Sequence, residues 1–329
     1  MKYPDRNWVL CIALILITFF AVKPHAAAQV KTRISIATGG TGGVYYPLGG
    51  GMAALISKHI PNTEATAEVT TASVDNVKLL HGNRVGLALT LPDTAWDGFT
   101  GQMKGFKEKA NIRTLMAVYS NYMHIVAIDG SGIKTIADLK GKRVSTGAPG
   151  SGTEIKALRV MEAYGLTPKD LKAQDKLGAA ESAGALKDRK IDAFFWDGGL
   201  PTAAVLDIAA TPGIKITMIG HGDAVAKMVA KYGPLYFVGT IPRGTYKGVE
   251  EDVPVAAVTN LLIANEKMDE NLAYQITKLF LERSADLVAV HKAASEINLK
   301  NAVLGSPIPF HPGALRYYKE KGIKLPAAK

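Results

Sequence analysis

Two glycine-rich turns hold the residues best suited to chemistry in this chain. The first reads Thr38-Gly39-Gly40-Thr41-Gly42-Gly43-Val44-Tyr45-Tyr46, and the second Ser145-Thr146-Gly147-Ala148-Pro149-Gly150-Ser151-Gly152-Thr153. Each follows a short β-branched run and opens an amphipathic stretch, so each reads as a strand-to-helix turn. Glycine lets a ligand approach the backbone closely. The first N–H groups of a helix also point outward at the positive end of its dipole. Ser151 and Thr153 add hydroxyls and a helix cap. Such a turn can hold an anion with backbone donors. Alone, each reads equally well as a tight structural turn; a pair in different halves of the chain points to a cleft that clasps a carboxylate from both sides.

Other candidates lie at the predicted carboxyl ends of strands, the edge where open α/β sheets bind ligands. They are Ser73 and Asn76 in the polar turn 71–76, Asp93 in Pro92-Asp93, and Trp196 and Gly199 in Trp196-Asp197-Gly198-Gly199-Leu200-Pro201. Trp196 and Tyr236 read as cleft or core aromatics alike, and Asp75 as a helix cap. The candidate binding set is therefore Thr41, Gly42, Gly43, Tyr45, Ser73, Asn76, Asp93, Pro149, Ser151, Gly152, Thr153, Trp196, Gly199 and Tyr236. Catalytic signatures are missing. There is no phosphate-cradling G-x-x-x-x-G-K-[ST], no G-x-S-x-G elbow and no H-E-x-x-H helix, and Tyr45 stands where a dinucleotide fingerprint needs its last glycine. The histidines form no metal-ligand pair, so neither metal nor cofactor is expected. His311 is kept apart, because two prolines around it fix the entry to a final helix.

The elements that must position these turns follow from the apolar pattern. Short β-branched runs at 33–38, 65–71, 85–91, 115–119, 124–128, 143–146, 191–196, 214–219, 236–241 and 253–261 predict strands. Helical spacing at 44–59, 153–164, 179–187, 200–210, 223–231, 269–283 and 312–321 predicts helices, and the alternation predicts an α/β protein with mostly parallel sheets. The chain has 329 residues, 39 Lys plus Arg against 29 Asp plus Glu, 7% aromatics and a single Cys. That lone Cys11 excludes internal disulfides, Cys-rich zinc sites and iron–sulfur centres. The basic excess is spread singly and without interleaved aromatics, which suits mild attraction of anions and not nucleic-acid binding.

Lys2 and Arg6, the apolar run 8–22 and the small residues Ala26-x-Ala28 read as a secretory signal peptide over residues 1–28. The run falls short of the ~20 residues a membrane-spanning helix needs. A cysteine-free exported chain suits a bacterial periplasm. What remains exceeds a single core and has no Pro/Ser-rich linker. The expected arrangement is two lobes, the second inserted into the first: residues 29–122 plus 240–329, and residues 123–239. The crossings at 119–128 and 235–242 would form a two-strand hinge.

Read in order, these turns resemble the TAXI family of periplasmic solute receptors that serve tripartite ATP-independent (TRAP) transporters. The resemblance runs from Ile34 to about Leu325. It includes the first turn ending in Tyr45-Tyr46, Ala72-Ser73-Val74-x-Asn76, Ala137-Asp138-Leu139-Lys140-Gly141-Lys142-Arg143-Val144, Gly147 to Thr153, Lys190-Ile191-Asp192-Ala193-Phe194, Gly199-x-Pro201 and Ile308-Pro309-x-His311-Pro312-Gly313-Ala314. It implies a type II periplasmic-binding-protein fold, two lobes closing over a small carboxylate such as glutamate, glutamine or a dicarboxylate, and delivery to TRAP permease subunits. It also places Gly42, Gly43, Tyr45, Ser73, Asn76, Asp93, Ser151, Gly152 and Thr153 toward the cleft. A monomer is expected, since hinge closure needs no second subunit. Two positions depart from the family pattern: Leu91-Pro92 leads into Asp93 without a polar residue, and Trp196-Asp197 is bulky and acidic before Gly-x-Pro. The alternatives are the same fold serving an ABC-type importer or a membrane sensor kinase, and a periplasmic enzyme using Asp93, Asp197 or His311, which nothing in the sequence pairs.

Overall fold

The computed structural model describes residues 31–103, 105–106 and 108–325. Residues 1–28, expected to be a leader, lie outside the described residues. Ten strands form one sheet. In chain order they are β1 Thr32–Ala37, β2 Thr63–Glu68, β3 Leu87–Thr90, β4 Ile112–Ile128, β5 Arg143–Ser145, β6 Ala173–Asp175, β7 Ala193–Gly198, β8 Ile216–Met218, β9 Phe237–Ile241 and β10 Val253–Asn265. The helices are α1 Tyr45–His59, α2 Ser73–His81, α3 Pro92–Thr100, α4 Gly152–Ala163, α5 Ala179–Lys187, α6 Ala203–Ala210, α7 Ala224–Tyr232, α8 Glu270–Glu282, α9 Ser284–Val290 and α10 Pro312–Glu320.

The sheet runs β2-β1-β3-β10-β4-β7-β5-β6, with β8 on β4 and β9 on β10. Parallel strands sit at both ends, β1 with β2 and β3, and β5 with β6 and β7. Antiparallel β4 and β10 join them. These two strands are the longest, at 17 and 13 residues, and each serves both halves of the sheet. The first part of β4 pairs with the end of β10, which also pairs β3; its last part pairs with β7 and β8. This is the mixed α/β fold expected of a type II binding protein.

Both faces of each half are covered by helices, so neighbouring strand residues are buried on opposite sides. Ile125 and Phe195 enter a core with Leu139 and Val160, while Val126 and Phe194 enter another with Val205, Ile208 and Tyr246. In the other half, Ile36, Leu48, Met52 and Phe280 fill one face and Val77, Leu80, Ala88 and Ile263 the other. α1 lies close on β1 because Gly49 has no side chain: a Cβ there would stand 2.4 Å from Thr38 Cγ2.

Several expectations change. The strands predicted at 115–119 and 124–128 are one strand, β4. Ser120, Asn121 and Tyr122 interrupt its apolar run where its neighbours change, not at a turn. Helices α3 and α9 and the three-residue β6 were not anticipated, and α2, expected only as a helix that Asp75 would cap, begins at Ser73 with Asp75 inside its first turn. The stretch 241–255, expected beyond the second crossing, packs with the second half: Ile241, Tyr246, Val249 and Val255 share a core with Phe194. Farther along, β10 pairs with β9 at its start and β3 at its end. Its register against β4 shifts between Thr259 and Leu261, where Val118 and Tyr119 of β4 stand opposite the single Asn260, a bulge in β4.

Candidate functional site

A cavity of about 260 Å³ opens between the halves at the carboxyl ends of the parallel strands. Four helices begin at its wall. Gly43 to Tyr45 lead into α1, Ala72 and Ser73 into α2, Ser151 to Thr153 into α4, and Gly178 to Ala180 into α5. Two of these helices belong to each half. The first N–H groups of a helix have no acceptor within it and face whatever lies beyond.

The four ends are not equivalent. Glu181, Glu154 and Asp75 place a carboxylate in the first turn of α5, α4 and α2, whereas α1 has no acid there and no side-chain cap at Val44. Dipole attraction for an external anion is therefore least contested at α1. Among the described residues no Lys or Arg lines the cavity, and its carboxylates are Glu181 and Asp197.

Around the rim the halves meet backbone to backbone. Val74 N–H donates to the Gly150 carbonyl at 3.1 Å, and Ala204 N–H to the Gly42 carbonyl at 3.2 Å. Glycine is required at these contacts. A Cβ on Gly152 would stand 2.5 Å from Leu91 Cδ1 and 2.8 Å from Ser73 Oγ, and one on Gly43 2.8 Å from the Trp196 ring.

Of the candidate residues, Thr41, Gly42, Gly43, Tyr45, Ser73, Ser151, Gly152, Thr153 and Trp196 line this cavity. Some already have structural duties. Ser151 Oγ caps α4 by accepting Glu154 N–H at 3.1 Å. Ser73 Oγ accepts Leu91 N–H at 3.2 Å, and Thr153 Oγ1 accepts Asp197 N–H at 3.2 Å. The Tyr45 hydroxyl donates to Asn260 Oδ1, opposite the β4 bulge. Trp196 Nε1 donates to Thr202 Oγ1 at 3.0 Å.

The other five are elsewhere. Asn76 is fully buried below the cavity, where Nδ2 donates to the Thr38 and Leu89 carbonyls, each at 2.7 Å, and ties the ends of β1 and β3 together. Asp93 and Tyr236 belong to a cluster outside the cavity that joins the halves. Arg159 on α4 donates to Asp93 at 3.2 Å, to Asp97 at 2.6 Å and to the Tyr236 hydroxyl at 2.7 Å, and Tyr236 donates to Asp93 at 2.8 Å. Burial works against the Arg159 charge, but Asp93, Tyr236 and Asp97 outweigh it and hold its pKa above the usual range. Pro149 is exposed on the outer side of its turn. Gly199 lies against the Tyr119 ring, behind the cavity wall.

Tyr119, Asn121, Leu91 and the start of α5 line the cavity without having been singled out. Gly178 before a helix with Glu181 in its first turn was a readable start signal; Asn121, within one continuous strand, carried none. Asp197 also lines the cavity. Its Oδ1 accepts from Lys156 Nζ at 2.7 Å, and both side chains are fully buried. Burial raises the Asp197 pKa, against the pull of that ammonium. His311 lies far along the chain at α10, where its ring caps the helix by accepting Gly313 N–H at 3.2 Å.

The sequence model of a family described as the NMT1-like family matches residues 36–322. Solved structures are similar as well. One from Bordetella bronchiseptica RB50 is 18% identical, with 91% of this chain and 92% of that one covered and a TM-score of 0.53. The ligand-binding component of an ABC-type import system from Staphylococcus aureus is 12% identical, with 91% and 94% covered and a TM-score of 0.50. A binding-protein component of an ABC phosphonate transporter from Pseudomonas aeruginosa is 9% identical, with 80% and 79% covered and a TM-score of 0.50. At these identities the likeness shows the fold.

Proposed function

The chain belongs to the NMT1-like family, and from that membership and the cavity we propose that it is an extracytoplasmic solute receptor that closes over a small carboxylate and presents it to a membrane importer. The observation that carries this reading is the convergence of four helix N-termini, two from each half, on one cavity that no basic side chain lines among the described residues. A partly buried helix terminus favours a carboxylate by up to ~2 kcal/mol, and each hydrogen bond to the charge adds ~1.5–3 kcal/mol. Micromolar binding, about −8 kcal/mol, is within reach of such a site.

Closure would bend β4 from its bulge at Val118–Tyr119 to Met123 and β10 at Asn260, and on this reading the lobe boundary would fall in β10 and not near residue 240. Residues 1–28 would be the export leader that brings the receptor to the periplasm. An enzyme is disfavoured by placement. Asp93 lies outside the cavity in the Arg159 cluster, His311 caps α10, and Asp197 is paired with Lys156.

For the partner, two of the similar structures are binding components of ABC importers, which favours an ATP-driven permease. The motifs shared with TAXI receptors support a second reading, a TRAP permease driven by an ion gradient. Uptake into vesicles holding the permease encoded beside this chain separates them, since ATP dependence supports the first and an ion gradient alone the second. The receptor reading itself is tested by stripping the protein of solute through unfolding and refolding, then following its thermal midpoint against carboxylates, sugars and cationic compounds. Binding to the folded state must raise the midpoint. A rise with carboxylates supports the clasp; a rise with sugars or cationic compounds alone overturns it.

A further inference from the structure

A second hollow, of about 330 Å³, opens at the other end of the first half, at the amino ends of β1 and β3 and the carboxyl end of β10. The register puts Ile36, Leu87 and Ala264 in one row across these strands. Arg33 and Arg84 each stand three residues before that row and Lys267 three residues after it, so the antiparallel course of β10 brings all three to the same edge. Cations spread singly along the sequence are thus gathered by the sheet. All three are exposed and line the hollow. Hydrogen bonds set the turns that carry two of them. Arg84 N–H donates to the Leu79 carbonyl at 2.9 Å, after Asn83 at φ 54°. Lys267 N–H donates to Asn265 Oδ1 at 3.0 Å, and that amide is itself held by donating to the Leu80 carbonyl at 3.0 Å.

Neighbouring strands lie about 5 Å apart, and like charges side by side repel. Among the described residues none of the three cations is in an ion pair. The nearby acids are placed otherwise. Glu266 is engaged by Arg113 at 2.7 Å, Asp269 on the wall caps α8 by accepting Leu272 N–H at 2.8 Å, and Glu64, beside Arg33 on β2, does not line the hollow. Three cations around one hollow suit a ligand with more than one negative charge. An arginine fork matches two oxygens of a phosphate at once, and lysine adds a point charge. We propose that this hollow binds a phosphate-bearing group, on the end of the first half turned away from the cavity between the halves. A monocarboxylate would neutralise one cation and leave the other two facing each other. The chemistry is the same for a soluble phosphate compound and for an anionic lipid headgroup.

The test titrates the solute-free chain calorimetrically with inorganic pyrophosphate and with acetate at low salt, and sediments it with vesicles of phosphatidylcholine alone or mixed with phosphatidylglycerol. Arg84→Gln with Lys267→Gln removes two cations from exposed positions of the hollow. Lys134→Gln with Lys169→Gln removes two exposed lysines from the second half as a control. We expect pyrophosphate to bind at least tenfold more tightly than acetate, and the first variant, not the control, to lose tenfold or more. Binding of pyrophosphate without the mixed vesicles supports a soluble phosphate compound; binding of the mixed vesicles, lost in the first variant, supports a headgroup. Failure of both probes to bind overturns the inference, as does acetate binding as tightly as pyrophosphate. Binding that survives in the first variant also overturns it, because the anion then sits elsewhere, as does an equal loss in the control, which reports net charge alone.

Discussion

Gly152 stands where the two halves of the sheet come nearest. Its φ is ordinary for a helix start, so alanine fits α4 itself, but the added methyl would meet Leu91 and Ser73 across the cavity rim. Gly152→Ala should therefore hold the two halves apart and weaken solute binding at least tenfold, about 1.4 kcal/mol. Unchanged affinity in a calorimetric titration would show that closure does not bring these residues together. At this scale the glycine turns were legible because glycine is itself the signal for close backbone approach. Asn76 and Asp93 misled for a physical reason. A polar residue in a strand-to-helix turn can satisfy buried backbone as readily as it can face a ligand, and the Asn76 amide is used up on the ends of β1 and β3.

α3 and α4 come from opposite halves and are joined through one guanidinium. Arg159 forks between Asp93, Asp97 and the Tyr236 hydroxyl while its plane lies over the Tyr232 ring, 4.3 Å from the centroid. Removing it leaves Asp93 as a fully buried charge, so Arg159→Met should cost about 3 kcal/mol of stability in urea unfolding. Arg159→Lys should recover little, because an ammonium cannot make the fork. Recovery by lysine would show that charge alone matters there. The helices with a broad apolar stripe, α1, α4, α8 and α10, were legible from period alone. α2 and α3 are nine residues each, follow directly on strands, and open with polar residues that read as turns. β6 reads Ala-Gln-Asp and is a strand only because β5 lies beside it.

Of the three histidines buried among the described residues, His124, His221 and His311, the first two are shifted furthest in pKa. Burial pushes His124 and His221 down to about 4 from the ordinary 6.5, against the pull of carbonyls bonded to their rings. His124 shows the geometry. Nδ1–H donates to the Tyr122 carbonyl at 2.7 Å, and Nε2 at 2.8 Å accepts the Tyr246 hydroxyl, whose oxygen takes Thr202 N–H. A second ring proton would confront that O–H. Between pH 6.5 and 4 the unfolded chain therefore binds protons that the folded chain refuses. Stability should be full above about pH 6.5, fall by about 1.4 kcal/mol per pH unit for each histidine, and level off near pH 4. Urea unfolding across that range checks the sign, and a flat profile would show both rings open to water.

The contacts that join the halves, Val74 to Gly150, Ala204 to Gly42 and Asp93 to Arg159, are made by protein groups alone. On the receptor reading, no solute leaves until they part, whatever the solute is. Residence time then belongs to the protein more than to its cargo. Different solutes that fit the cavity would dissociate at similar rates, and the permease, by prying these contacts open, would govern the flux.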